Sequence, residues 1–578
     1  MVSSWVRRLI PALLCSVCAA AQTNIAQTFW QIADTWVRQQ VEFDPTIAYL
    51  NGLPIPTHVH FVDNSPISSD AWAQQEQTSL TALLAINPNQ LPATLVAPYA
   101  SLREQLQSDL QLRVCRTELW NVNHFSGWQS TFAQLAEQQP VTTTGDREQA
   151  LVLWSDFPRF LATEIADQQL GLASGYSAPQ SVVRRVIAQL SQLADGPPES
   201  SPFASPAKRA SDRAFQKKFY ALISNQIDPA LRHYREFLSV TYLPHARTGT
   251  AISDLPNGPA CYQAFLRQNT TLDRTPQQVY DLGSQTVAAY TQDILRIGHD
   301  QYHTTTLAAT LAAASADPAS HYTSREDLLA ASRATLTRAR ALTASRIIER
   351  IPTQPVIIEP LRPFEEAAGA GSRMEANPNA TLPAVYRINL NDWKIETRGH
   401  GDVVVAHETL PGHHLQIALA REVQPATPLS KILGNAAYAE GWARYAEGMA
   451  EEIGILTTPD ALIERRVWPA HGMVIDPGLN AMHWTHQQAV DYLMTTGQYT
   501  PQTASDLIDR IAVIPGQLTA YDSGALEIKA LRQQAEQQLG SRFKLKAFNY
   551  VVLEEGNVPL SELRHHVEAW MKANSGSR

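Results

Sequence analysis

Apolar residues recur every three to four positions in Ser79 to Ile86, Tyr99 to Leu112, Gln180 to Leu193 and Leu328 to Arg350. That spacing lays one apolar stripe along an α-helix. The windows are rich in Ala, Leu and Gln, and together they predict a mainly α fold with a large helical body. Prolines gather between the periodic runs, where they are expected to end helices rather than sit inside them. The densest such stretch, Asp195-Gly196-Pro197-Pro198 running on to Pro206, predicts a linker at about residues 195–212. A second loop-rich stretch, Pro352 to Pro383, carries the β-branched run Val356-Ile357-Ile358, which predicts a few short strands. No internal repeat or low-complexity tract is visible.

A chain of 578 residues allows several domains or one large enzyme body. The most chemically specific residues lie after Tyr386, so the sequence divides into a signal segment (1–21), a helical N-terminal region (22–385) and a helical catalytic region (386–578). The signal reading rests on Arg7-Arg8, the apolar run Leu9 to Val17, and Ala19-Ala20-Ala21 before a cleavage point at Gln22. Cys15 and Cys18 are poor lipid acceptors because Leu14 and Val17 precede them. The expected location is therefore secreted or periplasmic, with no membrane attachment after cleavage. Net charge is −9, with 46 basic against 55 acidic residues and no long basic run, which disfavours a nucleic-acid partner. Cleavage leaves only Cys115 and Cys261. One disulfide is permitted, two buried free thiols weigh at least equally, and a cysteine-based metal site is excluded.

The chemistry begins at Val403-Val404-Val405-Ala406-His407-Glu408, an apolar helix that turns polar and continues Thr409-Leu410-Pro411-Gly412-His413-His414-Leu415-Gln416. His-Glu on a helix fits a zinc site in which a second histidine, one turn on, shares the ion and the glutamate acts as base. Here the fourth position is Pro411. On an unbroken helix His413 would point about 120° away from His407, and His414 would sit roughly 10.5 Å further along. Pro411 and Gly412 are where a helix breaks, and two looped-out residues would return His413 to the ligand position. The alternative is a helix that ends at Leu410, with both histidines on a surface turn.

A third ligand is offered by Glu440, in Ala436-Ala437-Tyr438-Ala439-Glu440-Gly441-Trp442-Ala443-Arg444-Tyr445-Ala446-Glu447. Glu440, Arg444, Glu447 and Glu451 recur at helical spacing, which also describes an ordinary solvated face. Paired with His407 and His413, Glu440 completes the two-His, one-carboxylate shell of a catalytic zinc, and Glu447 suits the orientation of a ligand imidazole. Glu408 is the expected general base. Oxyanion candidates are His483 and Tyr521, although a lone Tyr on a helix also serves packing. Arg532 could clamp a substrate carboxylate or be a surface charge, and His414 is placed beside the substrate.

These motifs are similar to those of a large, mainly bacterial family defined by a domain of unknown function, in the zincin-like MA clan of peptidases. The family's mark is His-Glu-x-x-Pro-Gly-His-His-Leu-Gln followed by Glu-Gly-Trp-Ala-x-Tyr-x-Glu, and both stand here, at His407 to Gln416 and Glu440 to Glu447. Leu255 to Gly258, Tyr386 to Leu390, Pro515 to Gln517 and Leu531-Arg532 also match. The resemblance implies a helical metallopeptidase-like body, zinc at the His-Glu helix, and His413 rather than His414 as the second histidine ligand. The chain departs from the family at Asn480 and Asn549, where histidines are usual, and at Asp522, where the family carries Lys. It reads as a divergent member.

The leading expectation is a secreted zinc-dependent hydrolase of the metallopeptidase type, acting on short peptides or peptide-like amides. One alternative keeps the zinc and changes the reaction, to ester hydrolysis or a metal-assisted step on a small natural product. The other is an exported, non-catalytic binding protein.

Overall fold

The computed structural model describes residues 6–362, 366, 371–375, 377, 381–424 and 426–576, with side chains from residue 24 onward. The expected signal segment, residues 1–21, therefore lies outside the residues whose side chains are described. Among the described residues the fold is mainly α with three short strands, as the periodicity predicts. Each periodic window falls in a helix: Pro66–Leu84, Ala93–Leu112, Gln180–Ala194 and Arg325–Leu342, the last followed by a π-turn at Thr343–Ile347. Prolines do not only end helices here: Pro98 and Pro477, among others, sit inside helical segments.

The chain forms two compact units, the first comprising residues 1–264, 427–434 and 512–514, the second 265–426, 435–511 and 515–578. The division placed at residue 386 from the chemistry thus falls inside the second unit. In the first unit, α1 (Val6–Phe43), α2 (Pro66–Leu84) and α3 (Ala93–Leu112) are followed by further helices. Ser65 caps α2, its hydroxyl accepting from the Ser68 amide, and Pro66 takes the first helical position, where its missing N–H costs nothing. The proline-rich stretch expected as a linker is integral to this unit. It folds into short turns and the helix Ser205–Arg209, and Phe203, Ala204 and Ala207 are fully buried. Phe203 packs on Trp154 with ring centroids 5.3 Å apart, so apolar burial overrides the loop-forming composition.

The second unit is built from α4 (Pro276–Tyr302), α5 (Arg398–Glu408), α6 (His413–Val423), α7 (Ala436–Glu452), α8 (His471–Asn480) and α9 (Gln517–Leu539), with other helices around them. Its sheet has β1 (Val356–Pro360), β2 (Arg373–Glu375) and β3 (Ala384–Ile388) in the order β1-β3-β2. β3 runs parallel to β1, pairing Ile358 with Tyr386, and antiparallel to β2. Along β3, Ala384, Tyr386 and Ile388 turn to the core, while Arg387 pairs with Glu359 at 2.6 Å and Glu375 at 3.0 Å. α7 and α9 meet backbone to backbone. A Cβ on Gly524 would stand 1.7 Å from the Ala437 carbonyl oxygen, and one on Gly441 would stand 2.5 Å from the Gly524 Cα.

Cys115 and Cys261 are joined in a disulfide across 146 residues of the first unit, which settles the choice between a bridge and two thiols. A closed loop of this length removes much denatured-state entropy. Replacing both cysteines by Ala is expected to lower unfolding free energy by about 2–5 kcal/mol, measured by denaturant titration. Gly524→Ala should cost about 3 kcal/mol, because neither backbone at the α7–α9 crossing can yield without moving its helix. Differential scanning calorimetry checks this as a lowered Tm.

Candidate metal centre

α5 begins at the Thr397 cap, whose hydroxyl accepts from the His400 amide. Val403, Val405 and Ala406 are buried, which sets His407 and Glu408 at the half-buried end of the helix. The helix then breaks. The Gly412 amide donates to the carbonyl of Ala406, six residues back, at 3.0 Å, where a continuous helix would bond four back. Two residues are therefore looped out, and α6 starts at His413. Only glycine fits at 412, since a Cβ there would lie 1.8 Å from the His407 carbonyl oxygen. The fully buried indole of Trp442 on α7 secures the loop, donating to the carbonyls of Pro411 at 3.0 Å and Gly412 at 3.3 Å.

The break brings the two imidazoles together, ring centroids 4.8 Å apart and nearly perpendicular. α7 starts at the Asn435 cap and carries Glu440 into the same space. Glu440 Oε2 lies 3.5 Å from Nε2 of His407 and 3.5 Å from Nε2 of His413. His407, His413 and Glu408 each offer a ligand atom within 4.8 Å of the others. Tetrahedral zinc at about 2.0–2.1 Å from each donor sets neighbouring donor atoms about 3.3–3.4 Å apart, close to the 3.5 Å between Glu440 Oε2 and each histidine Nε2.

A second layer of charge supports this one. His407 Nδ1 meets Glu447 Oε1 at 2.8 Å. Glu447 is buried and takes both its oxygens' share of the Arg444 guanidinium at 2.9 Å. Burial works against each charge, and the neighbours win for most. Burial would neutralise His407, but Glu440 and Glu447 hold it up at about 9 in the metal-free chain. Burial would raise Glu440, yet the two histidines hold it well below the usual carboxylate range. Arg444 and His407 likewise keep Glu447 low. Asp522 is the exception, its carboxyl raised by burial despite Arg444 nearby, while it accepts from the Ala470 amide at 2.7 Å.

The remaining sequence candidates divide. Tyr521 on α9 is half-buried, with the Arg444 guanidinium 5.9 Å from its ring centroid, and so lies beside the supporting layer. His483 is exposed on the loop after α8, at a φ of 56°, and no described interaction joins it to the cluster. His414 faces away from His413. It is buried with Nε2 2.9 Å from the Gln354 carbonyl oxygen, and burial pushes it down to about 4, so it is neutral packing rather than a substrate group. Arg532 is spent on Glu452, at 3.0 and 2.9 Å, and Glu536, at 2.9 Å, and is not a free clamp. Two of the departures from the resembled pattern, Asn480 and Asn549, are also structural. Asn480 donates to Asp476, which itself receives the Gly516 amide, and Asn549 donates to the Ile347 carbonyl at 2.9 Å.

Two contributors escaped the sequence reading. Tyr386, buried on β3, has its phenol pushed up by burial and then by the Glu408 and Glu396 carboxylates, so it lies within electrostatic reach of Glu408. Arg444 was part of a regular charged stripe. Its spacing of three from Glu447 was the available signal.

The chain is similar throughout its length to two solved structures. One is from Colwellia psychrerythraea and is designated a candidate lipoprotein, with a TM-score of 0.84, 23% identity, and 94% of this chain and 100% of that chain covered. The other, from Shewanella oneidensis, is designated a candidate lipoprotein of unknown function, with a TM-score of 0.77, 16% identity, and 93% and 99% covered. At these identities the likeness is one of fold. No curated protein matches. A family model for a bacterial protein of unknown function, DUF885, matches residues 45–567, and the chain belongs to that family.

Proposed function

We propose that the protein is an exported zinc-dependent hydrolase of the metallopeptidase type, acting on short peptides or peptide-like amides. The observation that carries this reading is the convergence of His407 Nε2 and His413 Nε2 on Glu440 Oε2, each at 3.5 Å, with the Glu408 carboxylate beside the two histidines. Three protein ligands with a position left for substrate make a catalytic rather than a structural shell. A binding protein would have no use for a carboxylate next to the ligands. Export is supported by the signal-like first 21 residues and by the Cys115–Cys261 disulfide, which persists in oxidising compartments. Among the described residues no helix is long and apolar enough to cross a membrane.

Zinc held by His407, His413 and Glu440 would supply a Lewis acid that polarises water and the substrate carbonyl. Glu408 takes the proton from the attacking water and hands it to the departing nitrogen, the two-way role of a general base turned acid. Glu447 fixes the His407 tautomer by engaging Nδ1, and Arg444 fixes Glu447. Tyr521 is the remaining oxyanion donor from the sequence set.

Purified protein should carry about one zinc per chain by mass spectrometry of the metal content. Glu408→Gln should keep the metal and lose roughly 10²–10⁴-fold in turnover on short peptide amides. His413→Ala should lose metal, whereas His414→Ala should keep it. Full activity in metal-free protein overturns the proposal, and turnover of the matching esters alone replaces the peptidase reading with an esterase. Metal uptake should also release a proton near pH 8, because an uncoordinated His407 is held up at about 9 by Glu440 and Glu447 against burial and must give up that proton to ligate. Affinity therefore falls as pH falls, which titration calorimetry in buffers of different ionisation heat detects.

A further inference from the structure

Among the described residues, six other than glycine take a left-handed backbone, and Thr271, at a φ of 53°, is the β-branched one of them. It ends the helix Gly258–Thr270, its amide donating to the Arg267 carbonyl at 2.7 Å. Glycine or asparagine usually fills such a helix end, because a branched Cβ crowds the backbone there. A residue in so sparsely populated a conformation persists only where its surroundings over-determine it, and such residues gather where exact placement serves function.

The surroundings of Thr271 are specific. The residue is 5% exposed, and its hydroxyl uses its full hydrogen-bonding capacity. It donates to the Thr270 carbonyl at 2.7 Å and accepts from the Asn435 side-chain amide at 3.0 Å and from the Leu560 backbone amide at 2.9 Å. Asn435 is buried and caps α7, its Oδ1 accepting from the Tyr438 amide at 2.8 Å. Its own backbone amide donates to Asn557 Oδ1 at 2.9 Å. Residues 427–434, just before it, belong to the first unit, so no immediately preceding element of its own unit holds the start of α7, and these contacts do. Glu440 follows five residues later, about 7.5 Å along the helix. The Gly441–Gly524 crossing holds the middle of α7, and the Thr271–Asn435 bond holds its start. A helix fixed at two points carries its side chains in one direction.

On the zinc reading above, we propose that Thr271 is a positioning residue for the candidate metal centre: its hydroxyl, through Asn435, sets where α7 presents Glu440 to the two histidines. The backbone strain at Thr271 is tolerated because one hydroxyl at this point serves two helix starts, those of α7 and of Leu560–Asn574. Glycine would relax the backbone and lose both bonds.

The test compares three variants with wild type. Thr271→Val keeps the branched shape and removes the hydroxyl, Thr271→Ser keeps the hydroxyl, and Asn435→Ser keeps a helix cap but is too short to reach Thr271. Cobalt(II) serves as the probe in place of zinc, because its visible absorption reports coordination geometry. Thr271→Val and Asn435→Ser should each bind cobalt about tenfold more weakly than wild type, with a changed visible spectrum. The double variant Thr271→Val with Asn435→Ser should be no weaker than either alone, since both cut the same link. Thr271→Ser should keep wild-type affinity and spectrum. Thr271→Val leaves two buried donors unpaired, and should it fail to fold, Asn435→Ser and Thr271→Ser decide alone. Folded Thr271→Val or Asn435→Ser with wild-type cobalt affinity and spectrum overturns the proposal and leaves the zinc reading standing, as does Thr271→Ser behaving like Thr271→Val. Wild-type protein that takes up no cobalt overturns both.

Discussion

The indole N–H of Trp442 holds the carbonyls of Pro411 and Gly412, and the arrangement of the candidate metal centre depends on it. Without the two-residue loop, His413 would point about a third of a turn away from His407. The loop itself places polar carbonyls in a buried setting, where an unmade hydrogen bond is costly. A single donor from the neighbouring helix removes that cost and fixes the loop against α7, the helix that also presents Glu440. Helix register and ligand geometry are thus set by the same contact. The close α7–α9 crossing, Gly441 against Gly524, then holds α7 itself at the residue between Glu440 and Trp442.

Behind the ligands runs a line of alternating charge, Glu440 to His407 to Glu447 to Arg444, with Asp522 beyond. Each member is largely taken from water, and each is tolerated because its neighbours carry the opposite sign. Removing one member leaves the next uncompensated, so the line responds as a unit rather than as separate pairs. Asp522 lies within electrostatic reach of Arg444 and accepts the Ala470 amide, which gives this departure from the resembled pattern a structural role.

How much of this was readable in the sequence follows from how local each feature is. The helices were legible because a stripe of apolar residues needs only its own spacing to declare itself. The His407 to His413 break was legible because Pro411 and Gly412 are adjacent, and each disfavours a continuous helix by its own covalent structure. His414 could also have been placed: neighbours on a helix point about 100° apart, so an inward His413 turns it elsewhere. Arg532 could not, since its partner Glu452 lies 80 residues away in sequence. The unit division was illegible for a similar reason. It falls between Ala264 and Phe265, inside the continuous helix Gly258–Thr270, where composition does not change. The proline-rich stretch around Pro197 looked like a spacer because turn-forming residues report local backbone shape and say nothing of the core that Phe203 enters.

The engagement of His407 Nδ1 by Glu447 has a consequence for nuclearity. An imidazole stripped of both protons can bridge two cations, one through each nitrogen. Here one nitrogen is committed to a buried carboxylate, so the ring has a single lone pair left to give. An ion taken up beside His407 would be reached through Nε2 alone, and this ring offers no imidazolate bridge to a second one.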